Sequence, residues 1–304
     1  MRARTETRLP LVLLALCLLL AACGREAPAP AAPEATAAPS LSPLPHRMHA
    51  EGESLRVYVD GLLAARGWTE DGCVYVPLRA VSGLLGLEQS WSGEEESFEL
   101  RVGGLQVRGE RDKEYFSAGG RYLWAPEGWR IREGELCLPL GALCKLFSLE
   151  AARQEDGSLA LSTGHAALLS AGADWYELNF PADDVYWLSH IIAAEARFEP
   201  LDGQIGVGNV VMNRVRDPRF PGDVFGVIYD TEHTIQFEPI ALGGIREEPG
   251  EQAMIAACLV LEGADTVGDS LYFVNPASGS GWFDANLELV AAIGNHNFYA
   301  QPTN

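Results

Sequence analysis

Two hydrophobic periods follow one another along the first half of this chain, and they do so twice. In "YVPLRAVSGLLGLEQSWSGEEESFELRV" (Tyr75 to Val102) a short apolar run ends at a proline. Apolar residues then recur every three or four positions, and finally alternate with polar ones in "SFELRV". That order predicts a strand, an amphipathic helix of roughly ten residues, a turn and a second strand. "CLPLGALCKLFSLEAARQEDGSLALST" (Cys137 to Thr163) repeats it. Pro77 aligns with Pro139, Leu78 with Leu140, Ala80 with Ala142, Leu84 with Leu146 and Leu87 with Leu149, each pair 62 residues apart. Each proline suits a first helical turn, where the amide it lacks would be unpaired anyway.

Further on, "DDVYWLSHIIAAEAR" places Val185, Leu188, Ile191 and Ile192 at helical spacing, with Asp183 or Asp184 available to cap the start. Glu195 falls on or beside that apolar stripe. "RFEPLDG" is expected to break the helix at Pro200 and Gly203, leaving Glu195 in the last turn. There the helix dipole and an apolar wall both disfavour negative charge and raise a carboxyl pKa, as a general acid requires. Arg197 opposes part of that effect, and a Glu at a helix end is more often simply a solvated charge.

Composition sets the class. With 304 residues, 47% hydrophobic and 21% charged, the chain has room for two folded domains and is neither disordered nor a membrane bundle. Forty-two acidic residues against 22 basic ones give a net charge of -20, which repels phosphate backbones, so nucleic acid is not an expected partner.

Arg2, Arg4 and Arg8 precede the apolar run "LPLVLLALCLLLAA", which is too short for a typical spanning helix and ends in small residues before Cys23. Residues 1–22 read as an export signal. Leu20-Ala21-Ala22-Cys23 resembles a bacterial lipobox, which implies a lipid on Cys23 and a lipid-anchored protein at the extracytoplasmic face of a bacterial cell membrane. The alternative is an ordinary signal in which Cys23 is incidental. Residues 23–50, rich in Pro and Ala, read as a semi-stiff tether. Cys73, Cys137, Cys144 and Cys258 remain; their number and spacing imply no bridge and no metal site, and Cys137 and Cys144 suit buried thiols.

The "PLR" helix and Trp91 make residues 51–164 resemble the module named for the N-terminal domain of copper amine oxidases, although Gly141 replaces the Arg in the second half. No copper follows, because no His lies between Glu51 and Gly164. The module is expected to be structural or to bind near the wall, with a plain spacer as the alternative. A linker at 165–180 leads to a last domain at 181–304.

In that last domain, "EAR", "GQIGVGNVVMNRV", "VIY", "IQFEPI" and "LYFVNP" follow in order. This series resembles the cell wall hydrolases of the spore cortex-lytic enzyme type, the SleB family. The resemblance implies, for this last domain, a mainly α lysozyme-like hydrolase that cuts the bond between N-acetylmuramic acid and N-acetylglucosamine in peptidoglycan glycan strands; with the α+β repeat-built module before it, two domains are expected in all. It maps the catalytic acid onto Glu195 and saccharide contacts onto Gln236, Phe237, Tyr272 and Asn275. From the residues themselves, Asn213 and Arg214 belong to an amphipathic helix and suit a structural role, with Asn213 also able to reach the cleft. Ala194, Phe198 and Glu238 depart from the family pattern, and Phe198 could narrow the cleft. Gln236 and Asn275 can donate and accept, and Phe237, Tyr272, Trp282 and Phe283 can stack on sugar rings. Turn chemistry and core packing are the competing explanations for the same residues.

A two-carboxylate mechanism would need a partner such as Glu199, Asp202, Glu238 or Asp284. A lytic transglycosylase needs none, and the resemblance favours it, with a hydrolytic muramidase as the alternative. A zinc amidase lacks its ligands, since His190, His233 and His296 form no HExxH-type pair. A wall-binding lipoprotein without activity is a further class. No cofactor is implied, and a regulatory partner protein is left open.

Overall fold

The computed structural model describes residue 52 and residues 54–164, 166–169, 182–230 and 244–302. Met1–Pro45 and His46–Asn304 are separate units. The leader, Cys23, the tether, most of the linker, and Gln236, Phe237 and Glu238 lie outside the described residues. Among the described residues no helix is long and apolar enough to cross a membrane.

The first region opens with β1 (Ser54–Val59), β2 (Leu62–Glu70) and β3 (Cys73–Pro77), followed by α1 (Arg79–Leu85). Next come β4 (Glu88–Ser92), β5 (Ser97–Val102), β6 (Leu105–Glu110), β7 (Tyr115–Ala118), β8 (Arg121–Trp124) and β9 (Arg130–Arg132). It closes with β10 (Glu135–Pro139), α2 (Leu140–Phe147), β11 (Glu150–Arg153) and β12 (Leu159–Ser162).

The internal repeat is visible in three dimensions. β3 and β10 are equivalent strands, and they pair antiparallel with Val76 opposite Leu138, its own counterpart. α1 and α2 follow them, and both end at a left-handed residue, Gly86 or Ser148, whose amide donates to Ser82 or Cys144. Those caps hold the helices to 7 and 8 residues rather than ten. The prolines stand just ahead of the helices instead of in their first turn. Each closes a strand, where a missing amide costs the ladder little.

Strand order β11-β12-β1-β2-β3-β10-β9 makes a seven-stranded sheet, and β4 to β8 form a five-stranded meander. Alternating residues of both sheets, with Leu140, Leu143, Leu146 and Phe147 of α2, bury one continuous apolar cluster. β6 to β9 have no counterpart in the repeat. They bring Tyr115, Tyr122 and Trp124 against the apolar cluster of the C-terminal region.

That C-terminal region contains α3 (Ala182–Ala196), α4 (Leu201–Arg216), α5 (Val224–Ile228), α6 (Glu251–Leu261), β13 (Tyr272–Val274), α7 (Gly281–Asn286), β14 (Glu288–Ile293) and β15 (His296–Ala300). α3, α4 and α6 pack around Leu188, Ile191, Ile192, Val207, Val210, Ala256 and Leu259. Close approach is possible because Gly208 faces the α6 and α3 side chains Val260 and Ile192, which a Cβ would meet at 2.8 and 3.0 Å. Beyond the expected helices there is a three-stranded antiparallel sheet, ordered β13-β15-β14.

Glu262, just past α6, joins the two regions. Its buried carboxylate accepts from Arg121 and, at 2.9 Å, from the Lys145 ammonium, which also donates to the Glu262 carbonyl at 2.7 Å. Burial pushes this carboxyl toward higher pKa, but the hydrogen bonds from Arg121 and Lys145 outweigh it and hold the group below the usual range. The four cysteines beyond the leader are unbridged, and Cys137 and Cys144 are buried.

Candidate active site

Val185, Leu188, Ile191 and Ile192 are fully buried, so one face of α3 is committed to the core. Glu195 comes three and four residues after Ile192 and Ile191, which puts it at the border of that face in the last turn. It is half-buried, with Oε1 shielded from solvent. The helix stops at Ala196, but Gly203 does not help to break it. Pro200 instead precedes α4, and Gly203 lies buried in the first turn of that helix. Phe198 projects outward, 93% exposed.

The turn after the acid is clamped from several sides. The Glu199 carboxylate accepts from the backbone amide of Asn295 at 2.8 Å and from its Nδ2 at 2.9 Å. Burial raises the Glu199 pKa, yet these two bonds, with His296 nearby, leave it below the ordinary value. Gly294 sits beside this clamp with φ +57, and a Cβ there would run into the Glu199 carboxylate and Pro200. Gln204, 1% exposed, donates to the carbonyls of Arg197 at 3.4 Å and Glu199 at 3.3 Å. Glu199 is therefore committed to the turn.

The other sequence candidates are placed as follows. Tyr272, half-buried on β13, lies 5.7 Å from the guanidinium of Arg214, and its hydroxyl accepts from Gln301 at 3.2 Å. Asn213 donates to the carbonyls of Gly268 and Ser270 at 2.6 and 3.0 Å, tying α4 to the strand entry. Asn275 opens a short 3₁₀ turn, its Oδ1 accepting from the Ala277 amide at 2.9 Å. Trp282 on α7 is 64% exposed, and Phe283 packs 5.6 Å from the Tyr299 ring. Asp284 accepts from Tyr299 at 2.6 Å and Ser280 at 2.7 Å, which lowers its pKa. The Asp202 carboxyl faces Glu114 of the first region, and burial raises its pKa. Among the described residues no three His, Cys, Asp or Glu side chains group to hold a metal ion.

Glu195, Arg214 and Tyr272 thus share one neighbourhood, with Asp230 acting on the same guanidinium. In the sequence Arg214 has only a structural place on an amphipathic helix, and it continues the spacing Val207, Val210, Arg214 along the buried face of α4. The Glu199–Asn295 clamp joins positions 96 residues apart and has no sequence signal. An aromatic group on α3 and α5 was also missed: Trp187 lies 5.1 Å from Phe225 and 5.6 Å from Tyr229.

Residues 198–299 match the family model described as Cell Wall Hydrolase, and Glu195 falls three residues ahead of that stretch. Among curated proteins, the spore cortex-lytic enzyme of Bacillus subtilis is 32% identical over 120 residues, covering 40% of this chain and 38% of that protein. That of Halalkalibacterium halodurans is 35% identical over 125 residues, covering 40% and 37%. The chain therefore spans about two fifths of the length of these relatives. A solved structure, the catalytic domain of the germination-specific lytic transglycosylase SleB from Bacillus anthracis, is 30% identical and covers 40% of this chain and 98% of its own, with a TM-score of 0.37. The C-terminal part of this chain carries a cell wall hydrolase domain similar to those of the spore cortex-lytic enzymes.

Proposed function

We propose that the protein is a peptidoglycan-cleaving enzyme, a lytic transglycosylase that cuts the MurNAc-GlcNAc bond with Glu195 as its catalytic group. The cell wall hydrolase match over residues 198–299 carries this reading, and the names of the similar proteins point to spore cortex as the form of peptidoglycan to test first. In this mechanism the Glu195 carboxyl gives its proton to the glycosidic oxygen as the bond from that oxygen to the muramic C1 breaks. The muramic C6 oxygen then bonds to C1, and its proton passes to the Glu195 carboxylate, restoring the acid. The product end is 1,6-anhydro-MurNAc, and no water is consumed.

A second carboxylate is not required, and the described candidates have other partners: Glu199 is clamped by Asn295, Asp284 by Tyr299 and Ser280, and Asp202 faces Glu114. Tyr272, Asn275, Gln236 and Phe237 are assigned to the saccharide, and Asn213, whose amide donates to the Gly268 and Ser270 carbonyls, to holding α4 against the entry to β13. The protein is taken to be lipid-anchored through Cys23 at the extracytoplasmic face, with the 51–164 module as a wall-proximal support. Cys23→Ser should release it from membranes.

Mass spectrometry of fragments released from purified peptidoglycan tests the reaction. Anhydro ends are expected, lighter than the hydrolysed sugar by one water. Glu195→Gln should cut release at least about a hundredfold with an unchanged melting profile. Reducing muramic ends would mean that water attacks, and free peptide with intact glycan would mean an amidase. Near-normal activity of Glu195→Gln would overturn the assignment.

A further inference from the structure

Arg214, in the last turn of α4, has its side chain inside the protein; the residue is 3% exposed. Its Nε donates to the Leu271 carbonyl at 2.8 Å, and the guanidinium lies 5.4 Å from the Phe220 ring centroid and 5.7 Å from that of Tyr272. A cation this far from water is tolerable only against buried negative charge and good hydrogen bonds. Two carboxylates from two other elements supply that charge, Asp230 just beyond α5 and Glu195 at the end of α3. Asp230 is buried, and Glu195 Oε1 is shielded.

Resting on the reading of Glu195 as the general acid, we propose that Arg214 is a positioning residue that orients Glu195 by charge and sets how tightly it holds its proton, with Asp230 as the counterweight. A transglycosylase with one carboxyl must use it first as acid and then as base, so its pKa has to lie near the working pH. A helix C-terminus and an apolar wall both favour the protonated form, which weakens the group as the acid that must give up its proton in the first half of the reaction. Arg214 opposes them, and Asp230 limits how far.

Burial pulls the Arg214 guanidinium down to about 10, while Tyr272, Asp230 and Glu195 act the other way, so it remains charged at neutral pH. Among the described residues, several neighbouring charges are engaged elsewhere. Arg197, next to the end of α3, reaches Glu247 at 3.4 Å and the Glu248 carbonyl at 3.3 Å. Arg219 pairs with Asp217 at 2.5 Å, Glu199 is held by Asn295, and the His190 ring meets the Tyr186 carbonyl at 2.7 Å.

The test is the proton affinity of Glu195 in the full chain, read two ways. Carbon-13 NMR of glutamate-labelled protein gives the titration directly, with the Glu195→Gln spectrum identifying the resonance. The alkaline limb of glycan cleavage gives it kinetically, since activity is lost as the acid deprotonates. Arg214→Gln removes the cation and should move both midpoints up by about one pH unit or more. Asp230→Asn frees Arg214 to act on Glu195 and should move both down. Arg214→Lys keeps the charge and should stay close to wild type, which a purely structural arginine would not predict. If Arg214→Gln fails to fold, the other two variants decide. Midpoints that stay put, or that move in the opposite sense, overturn the inference. Wild-type cleavage that survives Glu195→Gln would instead overturn the catalytic reading on which it rests.

Discussion

Among the described residues, the buried polar side chains between residues 54 and 169 are Thr69, Ser97, Arg121 and Ser158. Between 182 and 300 they are Ser189, His190, Gln204, Asn209, Arg214, Asp230, Ser270 and His296. The first region is a repeat whose two copies meet across Val76 and Leu138 and bury almost nothing that needs a hydrogen bond. Its one deeply placed charge, Arg121, faces the other region. The second region accepts the cost of many buried polar groups. Several brace the turn after Glu195 or the loop after α6: Gln204 holds the carbonyls of Arg197 and Glu199, and Asn209 donates to Ala264 at 2.7 Å. Regular packing builds a support, whereas a reaction site is built by fixing polar groups where packing alone would not put them.

The comparison breaks most sharply at Leu146. It is fully buried in α2, so Leu146→Asp puts an unpaired charge into the apolar cluster and should cost more than about 4 kcal/mol. Proteolysis should then digest residues 54–169 while a fragment starting near residue 182 survives. Loss of both together would mean that the two regions fold as one cooperative unit.

Glu262→Ala should cost about 3 kcal/mol, because Arg121, with a side chain only 10% exposed, and Lys145 lose their counter-charge. The folded-state pKa of Glu262 is depressed, so its contribution is present above the unfolded value of about 4.3 and is lost as the pH falls through the lower folded value. Thermal melts of wild type and variant should therefore converge in acid. A gap that persists at low pH would show that packing, and not charge, joins the regions.

The smallest effect is expected at Gly294. Gly294→Ala meets both a left-handed backbone and the Glu199 carboxylate, and should lower stability by about 1–2 kcal/mol. Because it loosens the turn next to Glu195, glycan cleavage should fall more than the melting temperature alone predicts.

Much of the scaffold could be read from residue order. The four apolar positions of α3 and the 62-residue offset appear in the structure as a buried stripe and as paired strands. β6 to β9 were not legible, because they interrupt the repeat without repeating anything. The three-stranded sheet was missed because β14 is largely exposed and does not alternate. At the site, the position of Glu195 followed from helical spacing, whereas the Asn295 clamp depends on chain segments that meet only after folding. Arg214 shows the reverse failure, since its place on an amphipathic helix was visible but pointed only to a structural role.

The parallel pairing of β1 with β12, Val57 opposite Leu159, has a consequence for how the chain is made. Every other strand of the seven-stranded sheet pairs antiparallel. This one contact closes a loop of about a hundred residues, and ordering so long a segment is the slow kind of step in folding. Until β12 has been synthesised, β1 is an open sheet edge able to recruit a strand from another molecule. A ribosome that stalled before Leu159 would hold a chain prone to self-association, and release past Ser162 would let β12 cover β1 and move the sheet edge to β11, a strand of only 4 residues.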